Sequence, residues 1–289
     1  CQSGRIKSVR VEVPPEAQRG LKETLRTRGF FLACQARPEQ DLTIESGLVA
    51  VSAEVAAVER LSSTVTRVRL HALEPFDFRA GQYISVVRLS DRLSRCYSIA
   101  SLPGEGHIEL HIRRVPNGRM SGWFFDACLP GEKVRICGPS GSCFYVPGRP
   151  DQPLLLAGTG TGLAPLAGIL RDALDNGHQG PVWLYHGALY ADGLYLGQEL
   201  NDVSRRHPNF RYRAVVKNDS PLSGSSAAPP TVGPLDRTIL SEHGKLNGWR
   251  GFVCGDPAIV RLLQKQFFLA GMASSEIFAD AFVEAAPAL

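Results

Sequence analysis

Apolar residues alternate with polar ones over residues 47–148, and from about residue 149 they gather into short unbroken runs. In the first stretch Val68, Leu70 and Ala72 alternate with Arg67, Arg69 and His71, and Ile108, Leu110 and Ile112 alternate with His107, Glu109 and His111. Successive side chains of a strand point to opposite faces, so this period of two predicts antiparallel strands, closed into a barrel. In the second stretch the apolar runs Leu154 to Ala157, Val182 to Tyr185 and Gly251 to Cys254 are separated by helix-like segments such as Leu163 to Leu174 and Ala258 to Leu269. That order predicts βαβ units and a parallel sheet. Residues 218–234 are rich in Pro, Ser and Gly and carry no period, which predicts a long loop inside this region. Residues 1–46 differ from both. They hold scattered cations (Arg5, Lys7, Arg10, Arg19, Lys22, Arg26, Arg28) around one strand-like stretch, Val9 to Val13, and are too few to bury a core of their own. The expected organisation is three regions, 1–46, 47–148 and 149–289, in a multidomain fold of β followed by α/β.

Composition narrows the class. The chain has 289 residues, 44% hydrophobic and 21% charged, with room for two domains and a fragment. No apolar run approaches the roughly 18–20 residues that span a bilayer, and CQSGRIKSVR lacks the apolar stretch of a signal peptide. The cytoplasm is the expected compartment, with no membrane partner. Seven cysteines, an odd number scattered among apolar and glycine neighbours, predict reduced thiols rather than a disulfide framework. A net charge of +4 without a stripe of Lys and Arg interleaved with aromatics argues against direct nucleic-acid binding and favours an acidic protein partner.

The most pointed local signal is LLLAGTGTGLAPLAGIL, where an apolar strand meets Gly158, Thr159, Gly160, Thr161 and Gly162 and a helix opens near Leu163. Glycines let the backbone approach a ligand, and the free first-turn amides and dipole of a helix favour an anion such as a pyrophosphate. Glycine at a strand-to-helix turn also serves packing alone, and the spacing is not the usual G-x-G-x-x-G of dinucleotide folds. Other motifs add weight. RCYSIAS, with Arg95, Tyr97 and Ser98, resembles the R-x-Y-S signature of the ferredoxin-NADP reductase family. FRAGQY (78–83), GRMS (118–121), GPSG (138–141), GTGTGLAP and VCGDP (253–257) resemble that family's further motifs, in the family's order.

The resemblance implies an antiparallel six-stranded FAD-binding β-barrel, a parallel-sheet Rossmann-like NAD(P)-binding domain, and an FAD-dependent NAD(P)H reductase. It implies hydride transfer from nicotinamide to flavin N5, then one-electron steps to a ferredoxin or oxygenase component, as in bacterial aromatic-hydroxylating systems. Carried over, it gives Arg95 to the FAD pyrophosphate, where a planar fork of donors matches phosphate oxygens. Tyr97 lies against the isoalloxazine, the Ser98 hydroxyl reaches N5, and His111, Ile112 and Arg113 line the cofactor. Gly118, Met120 and Ser121 form an anion nest near the phosphates. Gly158 to Gly162 and Cys254, Gly255, Asp256 and Pro257 hold the nucleotide, with Cys254 near the nicotinamide. Asp280 is a proton-relay candidate and Phe282 a ring cover. Ser98, Cys254 and Asp280 are the catalytic candidates.

Leu189 falls where NADP-dependent relatives often carry arginine, and Lys217 and Asn218 where a Ser-Arg pair occurs, so NADH is favoured over NADPH. CQSGRIKSVRV and LACQARPEQDLTI resemble the second half of a plant-type [2Fe-2S] ferredoxin, a β-grasp remnant. Cys1 and Cys34 match two ligands, but Ile6 and Val9 occupy the other two positions and cannot coordinate iron, so a cluster is not expected and no metal site is assigned. The segment is expected to pack on the barrel. Two alternatives stay open: a catalytically impaired pseudo-reductase that senses redox state for a regulatory protein partner, suggested also by Ile259 in place of a frequent methionine, and a flavin or quinone reductase using small acceptors.

Overall fold

The computed structural model describes residues 5–8, 15–32, 36, 44–45, 49–219 and 229–283. Three short strands, β1 (Arg5–Ser8), β2 (Phe30–Leu32) and β3 (Ile44–Glu45), pair antiparallel in the order β2-β1-β3, with the single-turn helix α1 (Glu23–Arg26) beside them. Cys1, Val9 and Cys34, and the strand expected at 9–13, lie outside the described residues. Leu21, Leu25 and Leu32 make a small cluster of their own with Phe30. Among the described residues, the contacts outward run mostly to the last domain rather than to the barrel, which differs from the expectation. Lys22 Nζ donates to the carbonyls of Ser274 (2.6 Å) and Ile277 (2.8 Å), and Glu23 pairs with Arg149 and with Arg250, itself buried. Thr24 Oγ1 reaches the Ser142 carbonyl just after the barrel, at 2.9 Å.

The alternating stretch forms β4 (Val49–Arg60), β5 (Val65–Ala72), β6 (Tyr83–Arg88), β7 (Ser94–Ser98), β8 (Ile108–Arg113) and β9 (Lys133–Ser140), six antiparallel strands in the order β7-β6-β9-β4-β5-β8. A bridge between Ile99 and Leu110 brings the two ends of this sheet together. The inward residues Val68, Leu70, Ile84, Leu110, Ile112 and Ile136 fill the interior, and α2 (Arg119–Asp126) caps it with Met120 and Phe124. The polar positions of β5 and β8 do not all face water. Arg67, Glu109 and His111 are buried because the last domain covers that side of the barrel.

That domain contains β10 (Leu154–Thr159), α3 (Leu163–Asp175), β11 (Val182–Ala188), α4 (Gly197–Arg206), β12 (Phe210–Val216), β13 (Thr231–Val232), α5 (Leu235–His243), β14 (Arg250–Gly255), α6 (Pro257–Leu269) and β15 (Ile277–Ala281). All its strand pairs are parallel, in the order β13-β12-β11-β10-β14-β15. The pairing of Thr231–Val232 with β12 gives the predicted loop an edge strand, while residues 220–228 lie outside the described set. The chain winds outward from β10 and then returns to β14 on its other side. The switch point is therefore the gap between β10 and β14, where sheets of this kind bind ligands. Helix α3 is apolar nearly all round because it lies between sheet and barrel: a Cβ on Gly168 would stand 2.8 Å from the Ala100 carbonyl. Among the described residues, no helix is long and apolar enough to cross a membrane, and Cys96, Cys128, Cys137, Cys143 and Cys254 are free thiols.

Candidate functional site

Strand β7 brings Arg95, Tyr97 and Ser98 to the rim of the barrel. Arg95 and Tyr97 share one face of the strand and are half-buried, and Ser98 takes the other. Arg95 Nη1 donates to the Ser94 carbonyl at 2.7 Å, which orients the guanidinium. Tyr97 packs edge-on against Phe124 of α2, centroids 6.0 Å apart, and burial raises its phenol above the ordinary range. Helix α2 opens at Gly118. There Ser121 Oγ accepts from Val115 N–H (3.1 Å) and donates to the Gly118 carbonyl (3.3 Å), and a Cβ on Gly118 would collide with that hydroxyl. Ser121 thus builds the turn, Met120 and Ile112 point into the barrel core, and the free amides of the first turn of α2 are what this segment offers an anion. Arg113 is exposed at the end of β8.

The second cluster straddles the domain seam. Ser98 Oγ donates to Asp280 Oδ2 at 2.9 Å, linking β7 to β15. Asp280 pairs with Cys254 across β15 and β14, and Cys254 Sγ lies 3.7 Å from Cys143 Sγ. Burial raises the Asp280 carboxyl, with the Ser98 hydroxyl pulling partly back, and burial pushes the Cys254 thiol well up, aided by Cys143 and Asp280. Cys254 is therefore a neutral thiol, and Asp280 is a group able to hold a proton nearer neutrality than an exposed carboxylate.

Around the switch point the glycines divide by task. A Cβ on Gly162 would collide with the Cys254 carbonyl, one on Gly158 would stand 2.7 Å from Leu166 Cδ1, and one on Gly255 (φ +119) would stand 2.6 Å from the Thr159 carbonyl. These three let β10 and β14 approach. Gly160 (φ +53) faces open space. Thr159 Oγ1 accepts from Asp256 N–H at 3.0 Å, and Asp256 caps α6 by accepting from Ala258 and Ile259 N–H, with Pro257 in the first turn. Phe282, half-buried, donates its N–H to the Gly255 carbonyl at 2.8 Å. The N-termini of α3 and α6 and an open glycine, at the end of the parallel sheet that Ser98 joins to the barrel, make a cradle that fits a dinucleotide beside a flavin.

His111 lies away from the rim. It is buried at the domain contact, with Nδ1 3.1 Å from Tyr195 Oη and Nε2 3.1 Å from Glu109 Oε1. Arg67 bridges Glu59 and Glu109 of the barrel to Glu199 of α4. Burial lifts the Glu109 carboxyl, but the His111 hydrogen bond, His111 and Arg67 charge, and Arg69 outweigh it and hold it at about 2. Cys143, Tyr195, Arg67 and His186 join this contact or the seam beside it without belonging to any of the sequence motifs. Of the four, Arg67 alone leaves a trace in the sequence, as a charge at an alternating position of β5.

The domain family described as "oxidoreductase FAD-binding domain" matches residues 52–145, and "oxidoreductase NAD-binding domain" matches 156–265. The chain is 32% identical, over 98% of its length and 88% of the relative's, to the ferredoxin–NAD(P)+ reductase component of the naphthalene 1,2-dioxygenase system of Pseudomonas putida. The chain belongs to the ferredoxin-NADP reductase family. This reductase is also 36% identical to the reductase subunit of an aromatic O-demethylase of Amycolatopsis, over 90% of its own chain and 80% of that one. The crystal structure of an Amycolatopsis cytochrome P450 reductase superposes with a TM-score of 0.75 at 31% identity, covering 98% of the reductase and 87% of that chain. The six-stranded antiparallel barrel and the parallel sheet are thus the family's two domains, and the reductase is an FAD-dependent NAD(P)H oxidoreductase.

Proposed function

We propose that this chain is the reductase component of an oxygenase system, drawing electrons from NADH and delivering them singly to a separate ferredoxin or to the oxygenase component itself. The observation that carries this reading is the Ser98–Asp280 hydrogen bond across the domain seam, beside Cys254 of β14, the strand that flanks the switch point of the parallel sheet. FAD, when bound, accepts a hydride and releases its two electrons one at a time. The chain's part is to bind, orient and exclude water. Arg95 offers a planar fork of donors to the FAD pyrophosphate, together with the first-turn amides of α2. Tyr97 provides a flat apolar face held by Phe124. Ser98 donates to Asp280, whose raised proton affinity suits it to hold a proton at the seam. Cys254, neutral and packed on Cys143, shapes the floor under the nicotinamide.

The NADH preference rests on the rim after β11. Leu189 is exposed there and offers an apolar side chain where a 2′-phosphate would need a cation. Lys217 is tied alongside by its N–H to the Ala188 carbonyl, 2.9 Å, with its side chain in solvent. Relatives named as reductase components of aromatic dioxygenase and O-demethylase systems support the choice of acceptor. A cytoplasmic setting, where NADH is available and thiols such as Cys96 stay reduced, fits this reading. The test is NADH-driven reduction of a purified [2Fe-2S] ferredoxin by the FAD-loaded protein, followed through cytochrome c. Catalytic ferredoxin reduction is expected. A flavin that is reduced by NADH yet passes electrons to free flavin or quinone and to no ferredoxin would overturn the acceptor assignment.

A further inference from the structure

A buried histidine holds the middle of the glycine loop. His186 is fully buried on β11, in register with Gly158 of β10, and its Nε2 lies 3.1 Å from the Gly160 carbonyl oxygen. Burial drives its pKa down, against the Gly160 bond and with the nearby His111, to about 4, so the ring is neutral at working pH. A neutral imidazole has one N–H, and a carbonyl can only accept, so the proton sits on Nε2. Nδ1 is then a bare lone pair, and among the described residues it finds no partner. A buried acceptor without a donor is unfavourable, and an apolar ring of the same size would avoid it. The Nε2–H contact is the feature that sets against this cost.

The ring is also held in place. Tyr195 meets it edge-on, centroids 5.4 Å apart, and the Tyr195 hydroxyl, kept protonated by burial, donates to Nδ1 of His111 at 3.1 Å. His111 in turn donates through Nε2 to Glu109 at 3.1 Å, so a barrel strand and a nucleotide-domain strand grip the same cluster. In a planar trans peptide the C=O and N–H point opposite ways. Fixing the Gly160 carbonyl against His186 therefore turns the Thr161 N–H away from the sheet. Gly158 and Gly162 are pinned by close packing on Leu166 and Cys254, while Gly160 has open space on its Cβ side. The Leu163 N–H also reaches the Gly160 carbonyl in the tight turn that opens α3, so the histidine is the side chain that joins this backbone contact in setting the central peptide.

We infer that His186 is a positioning residue for the nucleotide pyrophosphate: its Nε2–H fixes the Gly160 peptide so that the Thr161 N–H and the first-turn amides of α3 face the phosphates. The inference rests on the reading of Thr159 to Gly162 as the nucleotide loop. Two probes separate loop from ring. ADP-ribose carries the pyrophosphate and no nicotinamide, and N-benzyl dihydronicotinamide carries the hydride-donating ring and no phosphate. His186→Phe removes the donor at constant ring size, His186→Asn is too short to reach Gly160, and His186→Gln places an amide N–H near the position of Nε2.

Calorimetric titration of the oxidised FAD-loaded protein with ADP-ribose should show affinity about tenfold weaker for His186→Phe and His186→Asn and within about threefold of native for His186→Gln. Flavin bleaching by N-benzyl dihydronicotinamide should stay within about twofold of native in all three, since that donor never meets the loop. Native ADP-ribose affinity in the Phe and Asn variants would overturn the inference, as would a parallel loss of affinity and of benzyl-donor bleaching, which marks general damage. If the native protein neither binds ADP-ribose nor is bleached by NADH, the nucleotide-loop reading falls and the inference falls with it.

Discussion

Ser98 and Asp280 show how much a single side chain can be read from its neighbours in the chain. Ser98 is legible through the R-x-Y-S run, and Asp280 through its segment near the C-terminus. The 2.9 Å bond between them is a product of domain packing and has no local signature. Ser98→Ala removes the donor that offsets burial at Asp280, so the carboxyl rises further. Flavin reduction by NADH in this variant should slow by about one to two orders of magnitude with FAD content unchanged. An unaltered rate would remove Ser98 from the reaction. Arg67 is illegible for a related reason: it sits on a strand whose alternation reads equally well with its polar face in water, and the second domain laid over that face buries it. His186 ends an apolar run inside the parallel sheet, and its contact with Gly160 has no local signature.

At the scale of elements, periodicity marks the strands around Val68–Ala72 and Ile108–Ile112, the apolar strands β10, β11 and β14 and the helices α3 and α6, because each follows a sustained apolar pattern; elements such as α2, α4, α5 and β12, with shorter or more polar patterns, are not marked by it. The sequence marks Asp256 and Pro257 as nucleotide contacts. The structure gives them a further task, capping and starting α6, which holds the end of β14 against Thr159. The glycine run likewise carries two tasks that sequence cannot divide. Gly162→Ala drives a methyl into the Cys254 backbone between two central strands, and should cost about 1–3 kcal/mol, read as a lowered Tm. Gly160→Ala has room and suffers only its left-handed φ of +53°, so its loss should be smaller, about 1 kcal/mol. Equal losses in the two variants would contradict the division between packing and open glycines.

The whole molecule is a contact between two domains held by a buried polar cluster, with the front segment clamped onto the second domain through Lys22, Glu23 and Arg250. That clamp was unreadable because its partners are more than 200 residues apart in the chain. The cluster sets an acid limit. His186 falls from an ordinary 6.5 to about 4, so the unfolded chain binds a proton there that the folded one refuses. Its contribution is whole above 6.5 and lost as pH falls toward 4. Glu109 falls from 4.5 to about 2, so its contribution is lost between those values. Tm should therefore drop steadily from pH 6.5 downward, and a flat Tm between pH 7 and pH 4 would show that the cluster is not buried as described. The most direct test of the reductase account is anaerobic stopped-flow mixing of the FAD-loaded protein with NADH and, separately, NADPH, following flavin absorbance. Rapid bleaching, faster with NADH, is the predicted result. A flavin that stays oxidised with both nucleotides would contradict it.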